Sequence, residues 1–301
     1  MKRMKVLFGL DGSGSSFDAV RLVGRLLDPA NDRVVIYFSP LELKVKLPGR
    51  AEAITKGVAT ALFEEACELL PRNFQNIEVV TSTKSAAEGI LHAAEGCEAD
   101  LAVVGARGAG SLQRLLLGSV SRAVVHGAHL PVLVVRNGPL DESPPRVLAC
   151  HRPASAEPIA ELLGKFRWPE GTQGRVIGVT ESMLAGPLPE WLEQRVKDPD
   201  TAEIARAWEQ EHDEELAALG GQLEAFEQML PAAFHGREPI VAEGNPAERI
   251  LEVAGRERSD MIVVGRTPSD RFSRWLLGST SEAVLSHATT SVLVVPVERK
   301  A

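Results

Sequence analysis

The strongest constraint on this 301-residue chain is that it contains one pattern twice. Asp100–Val135 and the stretch 160 positions later, Asp260–Val295, share 17 identities in 36 positions. The matches include Asp100/Asp260, Gly105/Gly265, Gly118/Gly278, Ser119/Ser279, Ser121/Ser281 and the VLVV runs that close both stretches. A repeat of this length is a structural unit used twice. Near the start of the chain the offset is 141, since Val6-Leu7 matches Val147-Leu148 and Val35-Ile36 matches Val176-Ile177. By Pro71/Pro231 the offset is 160, so the second copy holds 19 extra residues between 181 and 230. The proline-marked segment 181–200 is the expected site of the extra loop.

Each copy alternates short apolar runs with helix-period segments. In the first, strands are expected at Lys5–Leu10, Arg33–Phe38, Glu78–Thr81, Leu101–Val104 and Val132–Val135. Helices are expected at Phe17–Leu27, Ala51–Leu70, Ala87–Glu95 and Val120–Ala128. The second copy gives strands at Val147–Cys150, Val176–Val179, Ile240–Val241, Met261–Val264 and Val292–Val295. Its helices fall at Ile159–Lys165, Ala202–Leu230, Ala247–Ala254 and Thr280–His287. This alternation predicts an α/β architecture with a parallel sheet in each half. The apolar stripe of the long helix (Ile204, Trp208, Leu216, Leu219, Leu223, Phe226) reads as core packing. Asn137–Pro145, rich in Pro and Gly, extends neither element. The domains are therefore expected at 1–138 and 146–301, with 139–145 as linker.

Between two of these strands lies Gly105–Ser121, GARGAGSLQRLLLGSVS. Its glycines stand as G-x-x-G, nine residues, then Gly118 followed by the hydroxyl of Ser119. Glycine permits φ > 0 and close backbone approach. Successive free N–H groups in such a turn form an anion cradle, and the helix that follows aims its orphan donors at negative charge. The segment reads as a phosphate cradle. Neither commoner phosphate loop is present: G-x-x-x-x-G-K-[S/T] is absent, and Gly108 and Gly110 lack the third glycine of G-x-G-x-x-G.

Composition bounds the rest. Hydrophobic residues at 44% and charged residues at 25% are those of a globular protein. No apolar run reaches the length of a membrane span, and the N-terminal MKRMKVLFGLDGS runs directly into a strand rather than reading as a signal peptide. Cys67, Cys97 and Cys150 show no metal or disulfide spacing, so a reducing cytoplasm is expected. A net charge of −8 argues against nucleic acid as partner. Residues 1–140 carry 16 Lys+Arg against 14 Asp+Glu, and residues 141–301 carry 17 against 27, which leaves the first half less repulsive to an anion.

G-x-x-G, nine residues, G-[S/T] between valine-rich strands resembles the nucleotide signature of the universal stress protein family, here as two tandem copies. The resemblance implies two tandem Rossmann-like (adenine nucleotide alpha hydrolase-like) domains. Each would be an open five-stranded parallel sheet with helices on both faces, binding ATP at the carboxyl ends of the strands. Carried over residue by residue, phosphate contacts fall on Gly105, Arg107, Gly108, Gly118, Ser119, Val120 and Ser121. Gly9, Leu10, Ser39 and Val104 fall where the family lines its adenosine pocket. Asp11 falls where the family's aspartate contacts the nucleoside, although Asp-Gly-Ser is also ordinary turn chemistry. Ser119 or Ser121 could ligate a Mg²⁺ bridging the phosphates. Arg107 is a better candidate than Arg114 for a charge-assisted phosphate contact. ATP, ADP and AMP are not separated by these residues.

The two copies depart from the family unequally. The Gly-x-Pro turn before the third helix survives as Gly244-Asn245-Pro246 but is Lys84-Ser85-Ala86 in the first half. In the second half Arg152 stands at the aspartate position, and Pro268, with no N–H to offer, replaces the second glycine. Gly265, Gly278, Ser279 and Ser281 remain as a weaker anion site, and this half is expected to be mainly structural.

Other chemistry is thin. The seven histidines show no HExxH spacing, and His126 with His129 reads as a helix-end turn. The leading expectation is an ATP-binding regulatory protein of the stress response, with nucleotide in the first half and an unidentified protein partner. The alternatives are a nucleotide-free scaffold and a slow ATPase. The family's last strands commonly form its dimer contact, so LPVLVVR and TSVLVVP are expected to pair within one chain as an internal pseudo-dimer, with a homodimer of chains left open.

Overall fold

The computed structural model describes residues 3–41, 51–82, 84–106, 117–136, 143–181, 199–266 and 277–297. The first half runs β1 (Lys5–Leu10), α1 (Gly14–Gly24), β2 (Arg33–Phe38), α2 (Ala51–Leu69), β3 (Ile77–Thr81), α3 (Ala86–Gly96), β4 (Leu101–Gly105), α4 (Ser119–Gly127) and β5 (Val132–Val135). The second runs β6 (Arg146–Cys150), α5 (Pro153–Leu163), β7 (Gln173–Thr180), α6 (Pro199–Met229), β8 (Ile240–Glu243), α7 (Pro246–Arg256), β9 (Met261–Arg266), α8 (Ser279–His287) and β10 (Ser291–Pro296).

Among the described residues ten strands join one sheet, in the order β3-β2-β1-β4-β5-β10-β9-β6-β7-β8. Within each half the neighbours are parallel, and the second five mirror the first. The halves meet where β5 and β10 pair antiparallel, with Leu133 opposite Leu293. The edge strands of the two halves thus satisfy each other's backbone groups, as expected of an internal pseudo-dimer.

Strand side chains alternate between two cores. Val6, Phe8, Val34, Ile36, Leu101 and Val103 point to the face covered by α1, α2, α5 and α6. Leu7, Val35, Tyr37, Ala102 and Val104 point to the face covered by α3, α4, α7 and α8. Burial on both sides explains why these strands read as continuous apolar runs. The repeated aspartates have a structural use. Asp100 accepts from the Lys5 N–H (2.8 Å) and Asp260 from the Arg146 N–H (2.8 Å), fixing the first residue of β1 and of β6.

Two expectations need correction. The helix expected at Ile159–Lys165 begins six residues earlier, because Pro153 occupies its first turn, where a missing N–H costs nothing, and Pro158 is carried inside. The extra residues of the second copy do not all form loop. At 31 residues, α6 is 12 longer than the 19-residue α2. Most of the segment expected to loop, 182–198, lies outside the described residues, as does the Ile204 side chain. Leu219, Leu223 and Phe226 pack in the core as expected.

Candidate functional site

The chain leaves β1 toward β2 and β3 on one side, then crosses to β4 and β5 on the other. The carboxyl ends of β1 and β4, hydrogen-bonded neighbours with Gly9 opposite Val104, therefore flank a topological switch point. Ligands of open α/β sheets lie in the crevice outside such a point. The expected residues Gly9, Leu10, Asp11, Val104 and Gly105 all come to it, with Ser39 just beyond the end of neighbouring β2.

Asp11 is exposed, and its Oδ1 accepts from the Ser13 N–H (2.9 Å) across Gly12, whose φ is 79°. Ser13 then caps α1 by accepting from the Ser16 N–H (3.3 Å). The turn-chemistry reading of Asp11 is thus realised, at an exposed position just beyond the end of β1. Leu10 and Val104 are buried. The Ser39 hydroxyl donates to the Lys84 carbonyl (3.0 Å), bridging the end of β2 to the chain entering α3. At the matching entry to α7, Gly244 takes φ 108° and Asn245 caps the helix through Glu248 N–H.

Gly9, Gly105 and Gly265 are close-packing positions rather than sites of positive φ. A Cβ on Gly9 would stand 2.7 Å from Ile90 Cδ1, so the missing side chain lets α3 seat on β1. A Cβ on Gly105 would meet Ser15 Oγ at 2.5 Å, Ser15 C at 2.8 Å and Ser16 N at 2.9 Å. Gly265 meets Ser155 Oγ at 2.3 Å in the same way. Both are close-packing positions under the first turns of α1 and α5. Gly118 has φ −64° and ψ 151°, which any residue can adopt.

Two bonds hold the first turn of α4 against the end of β4: Gly118 N–H to the Ala106 carbonyl (2.8 Å), and Ser121 Oγ to the Gly105 carbonyl (2.6 Å). The first helical bond runs from Arg122 N–H to the Gly118 carbonyl (3.0 Å). The N–H groups of Ser119, Val120 and Ser121 therefore precede the helical ladder and have no partner within it. Ser119 and Val120 are exposed. Ser121 is 4% exposed and its hydroxyl proton is committed to the Gly105 carbonyl. Ser281 makes the same bond to Gly265 (2.7 Å). Arg107, Gly108, Arg114 and Pro268 lie outside the described residues. Among the described residues no group of three His, Cys, Asp or Glu side chains could hold a metal ion.

The second half has the mirrored switch point, between β6 and β9, and there a cavity of about 360 Å³ opens. Cys150, Ile177, Val179, Ile250 and Val264 give it apolar lining, and His151, Arg152, Thr180, Glu215, Gln222 and the first turn of α8 add polar groups. Burial pushes the Cys150 thiol far above its ordinary range, so it is no nucleophile. His151 is half-buried against Phe226, ring centroids 5.3 Å apart, and desolvation lowers its pKa below 6.5. Gly278, of the expected weaker site, adopts φ 46°, and Ser279 opens α8 in solvent.

A family model described as the universal stress protein family matches residues 2–136 and 188–296. The chain belongs to the universal stress protein family. The unmatched stretch, 137–187, holds β6, α5 and β7, yet these strands occupy the same places in the second half that β1 and β2 occupy in the first. A universal stress protein of Mycolicibacterium smegmatis is 31% identical over 201 residues, covering 65% of this chain and 62% of that relative. A solved universal stress protein of Archaeoglobus fulgidus covers 99% of this chain and 97% of its own, at 18% identity and TM-score 0.64. A second, from Pseudomonas aeruginosa, covers 97% and 92% at 16% identity and TM-score 0.58. These likenesses establish the fold: two Rossmann-like halves in tandem. Among the described residues no helix is long and apolar enough to cross a membrane.

Sequence reasoning missed two buried arginines that tie the halves together. Arg266 Nη1 donates to the Val125 (3.1 Å) and Ala128 (2.8 Å) carbonyls and its Nη2 to His126 O (3.0 Å), at the C-terminal end of α4. Arg136 Nη2 donates to the Leu285 carbonyl of α8 (2.7 Å). His126, read from sequence as a helix-end residue, pairs with Glu282 of α8 at 3.0 Å. The signal available was an arginine directly after each of two apolar strand runs.

Proposed function

We propose that the first half binds an adenine nucleotide at the β1/β4 switch point, and that the chain is a nucleotide-dependent regulatory protein of the stress response. The observation that carries this is the pairing of the open first turn of α4 with the exposed Asp11 carboxylate at the ends of adjacent strands. The N–H groups of Ser119, Val120 and Ser121 offer three donors and a helix dipole to phosphate. Asp11 offers an acceptor to ribose hydroxyls. Gly105 and Gly118 keep β4 and α4 in register for this, and Arg107 and Gly108, which lie between them in the sequence, are expected to add phosphate contacts. Gly9, Leu10, Ser39 and Val104 border the adenosine end. A Mg²⁺ arriving with ATP would meet the Ser119 hydroxyl. The domain limits that go with this reading are 1–138 and 146–301, in a cytoplasmic protein whose nucleotide state selects a protein partner. Binding, not turnover, is the role, and hydrolysis is expected to stay below about 1 s⁻¹.

Isothermal titration of the full chain with ATP tests it. Gly118→Ala leaves the backbone conformation accessible but places a methyl where phosphate must approach, and Asp11→Ala removes the ribose acceptor. Each is expected to weaken ATP at least tenfold. Absence of ATP binding to the unaltered chain, or affinity unchanged in both variants, would overturn the reading.

A further inference from the structure

We propose that the cavity of the second half binds a monocarboxylate with an apolar tail, a different ligand class from the nucleotide of the first half. At about 360 Å³ it is at the small end of ligand pockets, which span roughly 300–1,000 Å³. Its lining is not a faded copy of the first-half crevice. Arg152 stands where the first half has Asp11, which reverses the charge beyond the first strand. Cys150 replaces Gly9 and Leu219 replaces Ala59, so apolar side chains stand where the first half has little or none. Glu215 and Gln222 on α6 stand 160 residues after Thr55 and Leu62 on α2.

The cavity is apolar inside and charged at its rim. Cys150, Ile177, Ile250 and Val264 are buried, and the half-buried Val179 and Leu219 continue their surface. Arg152, Glu181 and Gln222 are exposed. The Arg152 side chain does not cap α5, and among the described residues it forms no hydrogen bond or ion pair. The β7 side is already satisfied. There the Thr180 hydroxyl donates to Glu215 Oε1 (2.5 Å), and both residues hold further partners, so this wall needs no donor from a ligand. His151 adds no charge near neutral pH, because desolvation lowers its pKa below 6.5.

Charge decides where the head of the ligand lies and how many charges it carries. Arg152 follows β6, and α8 follows neighbouring β9. In the first turn of α8 the Thr280 and Ser281 N–H groups precede the first helical bond, Glu282 N–H to Gly278 O (3.0 Å). A guanidinium forms paired bonds to a carboxylate, and the helix start adds partial charge of the same sign. On the other side of β6, Glu181 follows β7 and Glu215 is bonded to its last residue. Strands β9 and β7 are two strand spacings apart, about 10 Å. A second negative charge on the ligand would therefore meet two carboxylates, and an uncharged tail meets the buried apolar lining. Nucleotides fit poorly, since their ribose hydroxyls need an acceptor and a guanidinium has none.

Isothermal titration of the full chain with octanoate, octanedioate and octylamine near neutral pH tests this. Octanoate is expected to bind once per chain, about tenfold or more tighter than the other two, the equivalent of one charge-assisted bond. Arg152→Ala, at an exposed side chain with no cap bond, should weaken octanoate by a similar factor. Gln222→Trp, at an exposed rim position on α6, should obstruct the cavity and abolish binding while the thermal melt stays normal. The proposal is overturned if octanoate fails to bind the unaltered chain, or if octanedioate or octylamine binds as tightly. It is equally overturned if octanoate affinity is unchanged in Arg152→Ala or in Gln222→Trp. Asp11→Ala, which is expected to weaken ATP in the first half, should leave octanoate binding unchanged, so the two readings fail separately.

Discussion

Replacing Arg266 tests how the two halves are held together. The guanidinium is 7% exposed and donates to three carbonyls of α4, which belongs to the other half. Hydrogen bonds from a charged donor contribute about 1.5–3 kcal/mol each, so the gross attraction is roughly 4–9 kcal/mol. A favourable position at a helix C-terminus adds about 0.5–1 kcal/mol. Against this stands the cost of burying the cation, which lowers the Arg266 pKa and amounts to several kcal/mol. Truncation to alanine removes both, but leaves buried carbonyls without a donor and a void where the side chain was. The expected net loss for Arg266→Ala is therefore about 3–5 kcal/mol, since three carbonyls left without a donor cost about 1–3 kcal/mol each and relief of the buried charge offsets part of that sum. Arg266→Lys should cost about 1–3 kcal/mol, because one ammonium cannot reproduce the fork that reaches all three acceptors. Lys165→Ala, which removes a partly exposed ion pair with Asp100 (2.9 Å), is the control and should cost less than about 1 kcal/mol. Urea unfolding of the three variants measures these directly. A loss under about 1 kcal/mol for Arg266→Ala would show that the seam is held by strand pairing alone and that the arginine is incidental.

Ser121→Ala and Ser281→Ala each leave a strand-end carbonyl without its buried donor, and each should lose about 1–3 kcal/mol in the same unfolding assay. The two losses should agree within about 1 kcal/mol, since the contacts are repeats of one another. His151 gives a pH dependence: its folded pKa lies below 6.5, so the unfolded chain takes up its proton first on acidification. The stability contributed by keeping it neutral is present above pH 6.5 and is lost as the pH falls through the lower folded value. His151→Leu, which installs the residue found at the matching position 10, should flatten stability between pH 7.5 and 5.5 compared with the unaltered chain.

The fold was legible because burial on both faces of a parallel sheet leaves continuous apolar runs, and the repeat doubled every such signal. Helix starts were placed late: α1 begins at Gly14 rather than Phe17, and α5 at Pro153 rather than Ile159, with Pro153 and Pro158 both in the missed stretch. The glycines were legible as special positions, but not for the right reason. Gly105 and Gly265 are close-packed because a serine of α1 or of α5 sits within 3 Å of where a Cβ would be, a contact between residues 90 and 110 positions apart. The position of Arg136 and Arg266 after apolar strand runs was legible, but their buried partners were not, because the acceptors are backbone carbonyls about 140 to 150 residues away and backbone carries no sequence signal. The second-half cavity escaped notice because comparison with a motif registers what has been lost, whereas Glu215 and Gln222 are gains on a helix that the motif does not include.

The antiparallel seam between β5 and β10 has a consequence for how such a chain can change over generations. When two identical chains pair through their last strands, every substitution appears on both sides of the axis at once, and assembly depends on concentration. Covalent fusion makes the encounter intramolecular, at an effective concentration set by a short connection. It also separates the fates of the two partners. Asp11 in one half and Arg152 in the other could not coexist in a symmetric homodimer; in this chain, tied at Leu133 and Leu293, they do.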